Sequence, residues 1–422
     1  MGNKAEQERL LEPYRVLDLS EQGYMLCAKI LGDLGADVIK IEPPGGSPSR
    51  SIGPFYKDIP EPEKSLFWFS FCNNKRSITL NLETSDGREL FRQLVKTADF
   101  LIESFSPGFM DGLGIGYSDL TESNPGIIWV SMTPHGQTGP KAWYKGCDLT
   151  TVAASGYMYV CGEPDRPPVW ISCPQTFINA AIDGFASAMF ANWYRAMTGE
   201  GQHIDVSAQE CSIRLMQDIL PFWDTERRIV KRTGPSVPTG SGVRRRLHWR
   251  CKDGYICVFY TGGSGETFIR QDKETTKWMK ENGMCPEWLE KFDWVNDYQA
   301  TKMTQELVER VENAIGEFFL SMSKEEIFNE AVKRRIPLAP VYTTEDVCHE
   351  IQLEARGFWQ KVEHEELGET LTYCGPFVQI SPMPARIWRR PPLIGEHNLE
   401  VYEQELGINR SQLNLLKESK VI

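Results

Sequence analysis

The sequence reads as an α/β protein: a parallel sheet covered by helices on both faces, followed by a second, smaller domain. Three features carry this reading. Strand and helix patterns alternate from the N-terminal end to about residue 135, as they do in βαβ units. A stretch rich in Gly, Pro and Ser, TGPSVPTGSG at 233–242, then breaks the rhythm and reads as a loop or linker. With 422 residues, 41% apolar and 25% charged, the chain is long enough for two domains, or for one large discontinuous domain and a smaller one.

The elements follow in order. Arg15–Leu19 (RVLDL) is a strand, and 26–34 is a helix ending near Gly35. Asp37–Glu42 (DVIKIE) is a strand closed by Pro43, Pro44, Gly45 and Gly46; 77–82 is the next. Ser85 is placed to N-cap a helix through Ala98, with Asp86 in its first turn and Lys96 in its last. Phe100–Glu103 and 127–131 are further strands. A long apolar helix spans 176–197, a strand covers 203–207, and 209–220 is helical. After the linker come Arg244, Arg245 and Arg246, a hairpin over 247–260 around Lys252-Asp253-Gly254, an amphipathic helix at 305–320 and a strand-like return at 336–342. The C-terminal part holds strand-like segments and a charged last helix.

Composition removes several function classes. A net charge of -12 opposes general nucleic-acid binding, which needs a basic surface. No apolar run reaches the length of a membrane-spanning helix, and MGNKAEQERLLEPYR has neither an apolar leader core nor the Ser or Thr of a myristoylation signal. The 11 cysteines include no CxxC pair and no zinc spacing, so no metal site is expected. They read as free thiols in a reducing, cytoplasmic setting, with Cys147 and Cys173 closest to the candidate site.

Three loops are dense in Gly, Pro and polar groups: 43–50, 73–76 (NNKR) and 104–116 (SFSPGFMDGLGIG). Ligands of parallel sheets bind beyond the C-terminal ends of strands. Lys75 and Arg76 offer charge to phosphates, and Asn73 and Asn74 offer amides to an adenine or a pantetheine. There is no GxGxxG fingerprint and no Walker A loop. Gly262, Gly263 and Gly265 lack the helix start and the cation of a phosphate loop, and read as a hairpin or loop.

Eight segments in order resemble the class III CoA-transferases, the carnitine dehydratase and racemase-like family. They are RVLDLS from Arg15, LGDLGADVIKIEPPGG from Leu31, NNKRSITLNL from Asn73, LIESFSPGFMDGLGIGY from Leu101, GQTGP from Gly136, SGYM from Ser155, TGEGQHIDVS from Thr198 and IGEHNLEVY from Ile394. The resemblance implies a large Rossmann-like domain from residues 1–225 and 336–422, a smaller α+β domain from 226–335, and an interlocked dimer of subunits. It also implies the chemistry: an aspartate attacks an acyl-CoA thioester, forms a mixed anhydride, and the incoming carboxylic acid exchanges through enzyme-bound intermediates. CoA and acyl-CoA are then substrates, and no cofactor is covalently bound.

The family aspartate lies about one helix length before the TGxGQ turn. Here that place is Thr176 or Phe177, and neither is a carboxylate. A threonine hydroxyl is neutral and needs an activating base. Racemase-like relatives use a His and Asp pair, and the position matching that histidine is Cys147, before Asp148. Ser104 replaces the family's common Asn, and Gly112 its common Arg; an Arg–phosphate contact is typically worth about 1.5–3 kcal/mol. Asn73, Asn74, Lys75 and Arg76 are retained, and Lys145 is placed to approach a diphosphate. Asp183 and Asp148 are the candidate substitute carboxylates, although Asp183 falls nearly two helical turns, about 10 Å, beyond Thr176.

The resemblance thus points to a non-catalytic subunit of a heteromeric CoA-transferase. A paralogous partner would carry the aspartate and hold most of the CoA. Two-subunit members that move CoA from succinyl-CoA to benzylsuccinate, in anaerobic toluene degradation, have this arrangement. Trp143, Tyr144, Tyr157 and Trp170 are compatible with an aryl substrate and equally with core or interface packing. The alternatives are an active homodimer or acyl-CoA isomerase using a relocated Asp183, Asp148 or Cys147, and an acyl-CoA binding protein without chemistry.

Overall fold

Six strands build the expected sheet: β1 (Arg15–Leu19), β2 (Asp37–Glu42), β3 (Lys75–Thr79), β4 (Phe100–Glu103), β5 (Ile128–Thr133) and β6 (Gln202–Ser207). All neighbours pair in parallel, in the order β3-β2-β1-β4-β5-β6. Chain direction across the sheet reverses between β1 and β4, which makes their C-terminal ends the topological switch point of a doubly wound fold. In this computed structural model the described residues are 9–238, 242–262, 265–299 and 301–422. Residues 239–241 of the expected linker, and Gly263 in the glycine turn, lie outside them.

The strands are apolar on both faces because both are covered. Val16, Val38, Phe100, Ile102, Val130 and Met132 pack against the Leu26–Asp33 and Thr176–Thr198 helices. Leu17, Ile39, Ile78, Leu101 and Trp129 pack against the Ser85–Val95 helix and the C-terminal residues Val401, Tyr402, Leu413 and Val421. The tail is stitched to β3: Asn398 Oδ1 accepts from Thr79 N at 2.9 Å, and the Tyr402 hydroxyl donates to Thr79 O at 2.8 Å.

Several local readings differ from the sequence expectation: the helix expected over 209–220 is Ala208–Arg214 and Leu220–Glu226 with turns between them, and Ser236–Pro238 of the expected linker is a short strand. β3 begins at Lys75 rather than Ser77, since Lys75 and Arg76 already hold register with Val38 and Ile39. The Ser85 helix is capped by the preceding Thr84, whose hydroxyl accepts from Gly87 N at 3.0 Å.

The chain divides into two units. Met1–Met158, Trp170–Ile229 and Leu353–Ile422 form the unit built on the parallel sheet. Tyr159–Val169 and Val230–Gln352 form the other. The latter has a three-stranded antiparallel sheet of Ala339–Val341, Gly254–Cys257 and His248–Cys251, with the Gln305–Leu320 helix contributing Val308, Val311, Ile315 and Phe319 to its core. Among the described residues, no helix is long and apolar enough to cross a membrane.

Candidate functional site

The switch point opens into two adjoining hollows. A crevice of about 490 Å³ lies beyond β1, β2 and β3, lined by Leu19, Glu21, Glu42, Pro43, Glu83 and Phe105 among others. Lys420 is the one cation among its lining residues. A smaller pocket of about 270 Å³ lies toward the start of the Thr176–Thr198 helix, where Gln22, Tyr24, Ser104, Trp143, Lys145 and Phe177 meet.

The loops hold this shape through buried polar contacts. Glu42 accepts from Arg50 Nε at 2.6 Å and from Ser77 Oγ at 2.6 Å, and the Arg50 guanidinium lies 3.7 Å over the Trp68 ring. Arg50 is therefore part of the scaffold. Glu21 accepts from Ser47 Oγ at 2.5 Å and also from the Ser49 hydroxyl. Ser104 Oγ accepts from Glu21 N at 2.9 Å, fixing the β1 loop to the β4 loop. A Cβ placed on Gly112 meets nothing within 4 Å, so the site has room for a side chain that this chain does not supply.

Thr176 and Phe177, the residues expected at the family's nucleophile position, are engaged in packing. Thr176 Oγ1 donates to Asp148 Oδ1 at 2.7 Å, and Thr176 N and Gln175 N donate to the same oxygen at 2.8 Å. Trp170 Nε1 supplies a donor to Asp148 Oδ2 at 2.8 Å. Asp148 is thus a helix-start acceptor with both oxygens in use, satisfying amides that the first turn cannot pair internally. Phe177 is 5% exposed and stacks on Tyr24, with ring centroids 4.4 Å apart at 22°. Asp183 is paired with Arg214 at 2.5 Å. Cys147 precedes Asp148 at the helix start; hydrogen bonds from the Thr150 backbone and hydroxyl hold its thiol below the usual range.

Of the five residues expected to bind the cofactor, Lys145 alone lines either hollow. Asn73, Asn74, Lys75 and Arg76 sit at the start of β3. Lys75 Nζ donates to Asp18 Oδ2 at 2.7 Å with both side chains fully buried. Burial would raise the Asp18 carboxyl, but Lys40 and Lys75 overcome it and hold it below its ordinary value. Arg76 pairs with Asp37 at 2.6 Å, Glu400 at 2.8 Å and Glu405 at 2.5 Å. Asn74 Oδ1 accepts from Arg389 N at 3.0 Å and its amide donates to Asp33 at 2.7 Å. The Asn73 amide is buried and has no hydrogen-bond partner among the described residues. Sequence reasoning missed Glu21 and Glu42 as crevice walls; the signal was a carboxylate at the C-terminal end of β2 and another two residues past that of β1.

Comparison with known proteins matches this geometry to one group. A family model described as CoA-transferase family III matches residues 11–398. The chain is 32% identical over 394 residues, 92% of each sequence, to succinyl-CoA:(R)-benzylsuccinate CoA-transferase subunit BbsE of Thauera aromatica. It is 29% identical to the succinyl-CoA–L-malate CoA-transferase alpha subunit of Chloroflexus aurantiacus, over 99% of this chain and 94% of that one. A crystal structure of a CAIB/BAIF family protein from Brucella suis superimposes with a TM-score of 0.80 at 26% identity, covering 94% of this chain and 100% of that chain.

Proposed function

This chain belongs to CoA-transferase family III, and from that membership we propose that it is the non-catalytic subunit of a heteromeric CoA-transferase. The nucleophilic aspartate and most of the CoA-binding surface are then on a paralogous partner, interlocked with this chain. CoA passes between small carboxylic acids, with succinyl-CoA as donor and an aryl-substituted succinate such as benzylsuccinate as acceptor. The setting is the cytoplasm of an organism degrading aromatic compounds anaerobically.

One observation carries the reading. The place of the attacking carboxylate holds a phenyl ring stacked on Tyr24 and a hydroxyl given to Asp148. The ring is no nucleophile, and among the described residues the base that faces the Thr176 hydroxyl is a carboxylate already accepting from four donors. The crevice supports the same reading: Glu21, Glu42 and Glu83 against Lys420 is a poor cradle for a diphosphate. Relocated catalysis at Asp148 or Asp183 is disfavoured, because one is consumed at a helix start and the other in an ion pair.

Transfer between succinyl-CoA and benzylsuccinate should be absent with the purified chain alone and appear when it is mixed with an Asp-bearing paralog. Full turnover by the isolated chain would refute the assignment.

A further inference from the structure

A second cavity, of about 610 Å³, lies on the sheet face away from the Thr176–Thr198 helix. It is formed where the C-terminal halves of β4 and β5 meet the edge strand β6. Register places Glu103 beside Ser131 and Ser131 beside Asp205, with Trp129 beside His203. Partners in parallel strands project to the same face, so these polar groups share one wall. Glu103 and Ser131 are buried on this wall, while His203 and Asp205 on the edge strand are exposed, and Asp205 accepts from Gln137 N at 2.9 Å.

His203 Nε2 lies 2.9 Å from Ser131 Oγ, and Trp129 Nε1 donates to the same hydroxyl at 3.1 Å. Glu103 accepts from Phe105 N at 2.7 Å. Burial pulls the His203 imidazole below its ordinary value, against the pull of Asp205 and Asp111, so the ring is neutral at neutral pH. The Tyr117 ring stacks on it at 5.1 Å and meets Trp129 edge-on at 6.2 Å. Trp143 stands at the mouth, 71% exposed, against Gly108.

The charge of this wall selects the ligand. Glu103, Asp111 and Asp205 line it, and no Lys or Arg does. A cation is attracted by the Asp111 and Asp205 carboxylates and by the aromatic rings of Tyr117, Trp129 and Trp143 in the lining, whereas burial pushes the Glu103 carboxyl up to about 7. The volume is that of a small-molecule pocket.

We propose that this cavity binds a small organic ammonium ion, at a site that adjoins the switch-point hollows through Phe109 and Trp143 and is independent of which subunit performs the transfer. Titration calorimetry of the full chain at low ionic strength, with choline and with its uncharged carbon isostere, tests it. Choline is expected to bind saturably and the isostere roughly tenfold more weakly or worse. Trp143→Ala, at an exposed position that leaves the core intact, should weaken choline by roughly tenfold, and Asp205→Asn should act in the same direction. Equal binding of the isostere, no saturable choline binding, or unchanged choline affinity in Trp143→Ala would overturn the proposal.

Discussion

A carboxylate introduced at position 176 has nowhere to be charged. Thr176 Oγ1 is 2.7 Å from Asp148 Oδ1, so Thr176→Asp sets two acids against each other in a site that is 1% exposed at Thr176. Two carboxyl groups that close do not both ionise. The variant is expected to lose stability on the order of 2 kcal/mol at neutral pH, part of it recovered in acid, and to gain no transfer activity. Urea unfolding across pH, beside a thioester exchange assay, measures both; an active and fully stable variant would mean that the helix start had already been built for an acid. The position itself was legible in the sequence, because spacing to an intact TGEGQ turn points to Thr176 or Phe177. What took its place was not, since spacing gives no direction for a side chain.

Strand β3 shows where local pattern misleads. NNKR before an apolar strand reads as a basic turn offered to a ligand, yet Lys75 and Arg76 are strand residues whose charges are spent inside the fold. The alternating strand signal is masked when a strand position is a lysine that reaches a buried aspartate. Lys75→Met leaves Asp18 with a weaker set of partners, Lys40 at 4.0 Å among them. It should cost about 3 kcal/mol of stability, and urea midpoints read it directly. A ligand-binding lysine would instead leave stability intact and lower CoA affinity.

The other unit carries a pH signature of its own. Burial pushes the Asp272 carboxyl up to about 7, against the lowering effects of Gly262 N and Arg245. Its Oδ1 has no hydrogen-bond partner among the described residues. A carboxyl raised in the folded state binds more protons than the unfolded chain between its ordinary value and about 7. Stability is therefore lost as pH rises through that window. Asp272→Asn should remove this slope, becoming more stable relative to the parent as pH rises from acid to neutral; parallel curves for the two proteins would show that the acid is not buried in solution.

Across the chain as a unit, the alternation of strand and helix was enough to read the parallel sheet, because short apolar strand patterns such as VLDL and DVIKIE recur between helical ones, the second closed by Pro43 and Pro44. The return of the tail to that sheet was less legible. Val401, Tyr402 and Val421 pack on Ile78 and Leu80 only because distant segments converge, which no local pattern encodes. The same limit applies to the crevice: Glu21 and Glu42 are far apart in sequence and become neighbours through β1 and β2 pairing. Under the proposed function, packing residues at the place of the attacking acid suit a subunit whose surface, and not its chemistry, completes an assembly.

Trapping during turnover tests this most directly. The chain and its Asp-bearing paralog, mixed with succinyl-CoA and an aryl succinate, are quenched with hydroxylamine or borohydride, and each polypeptide is mapped by mass spectrometry. Modification confined to one aspartate of the paralog is the predicted result; a modified carboxylate on this chain, at Asp148, Asp183 or elsewhere, would contradict it.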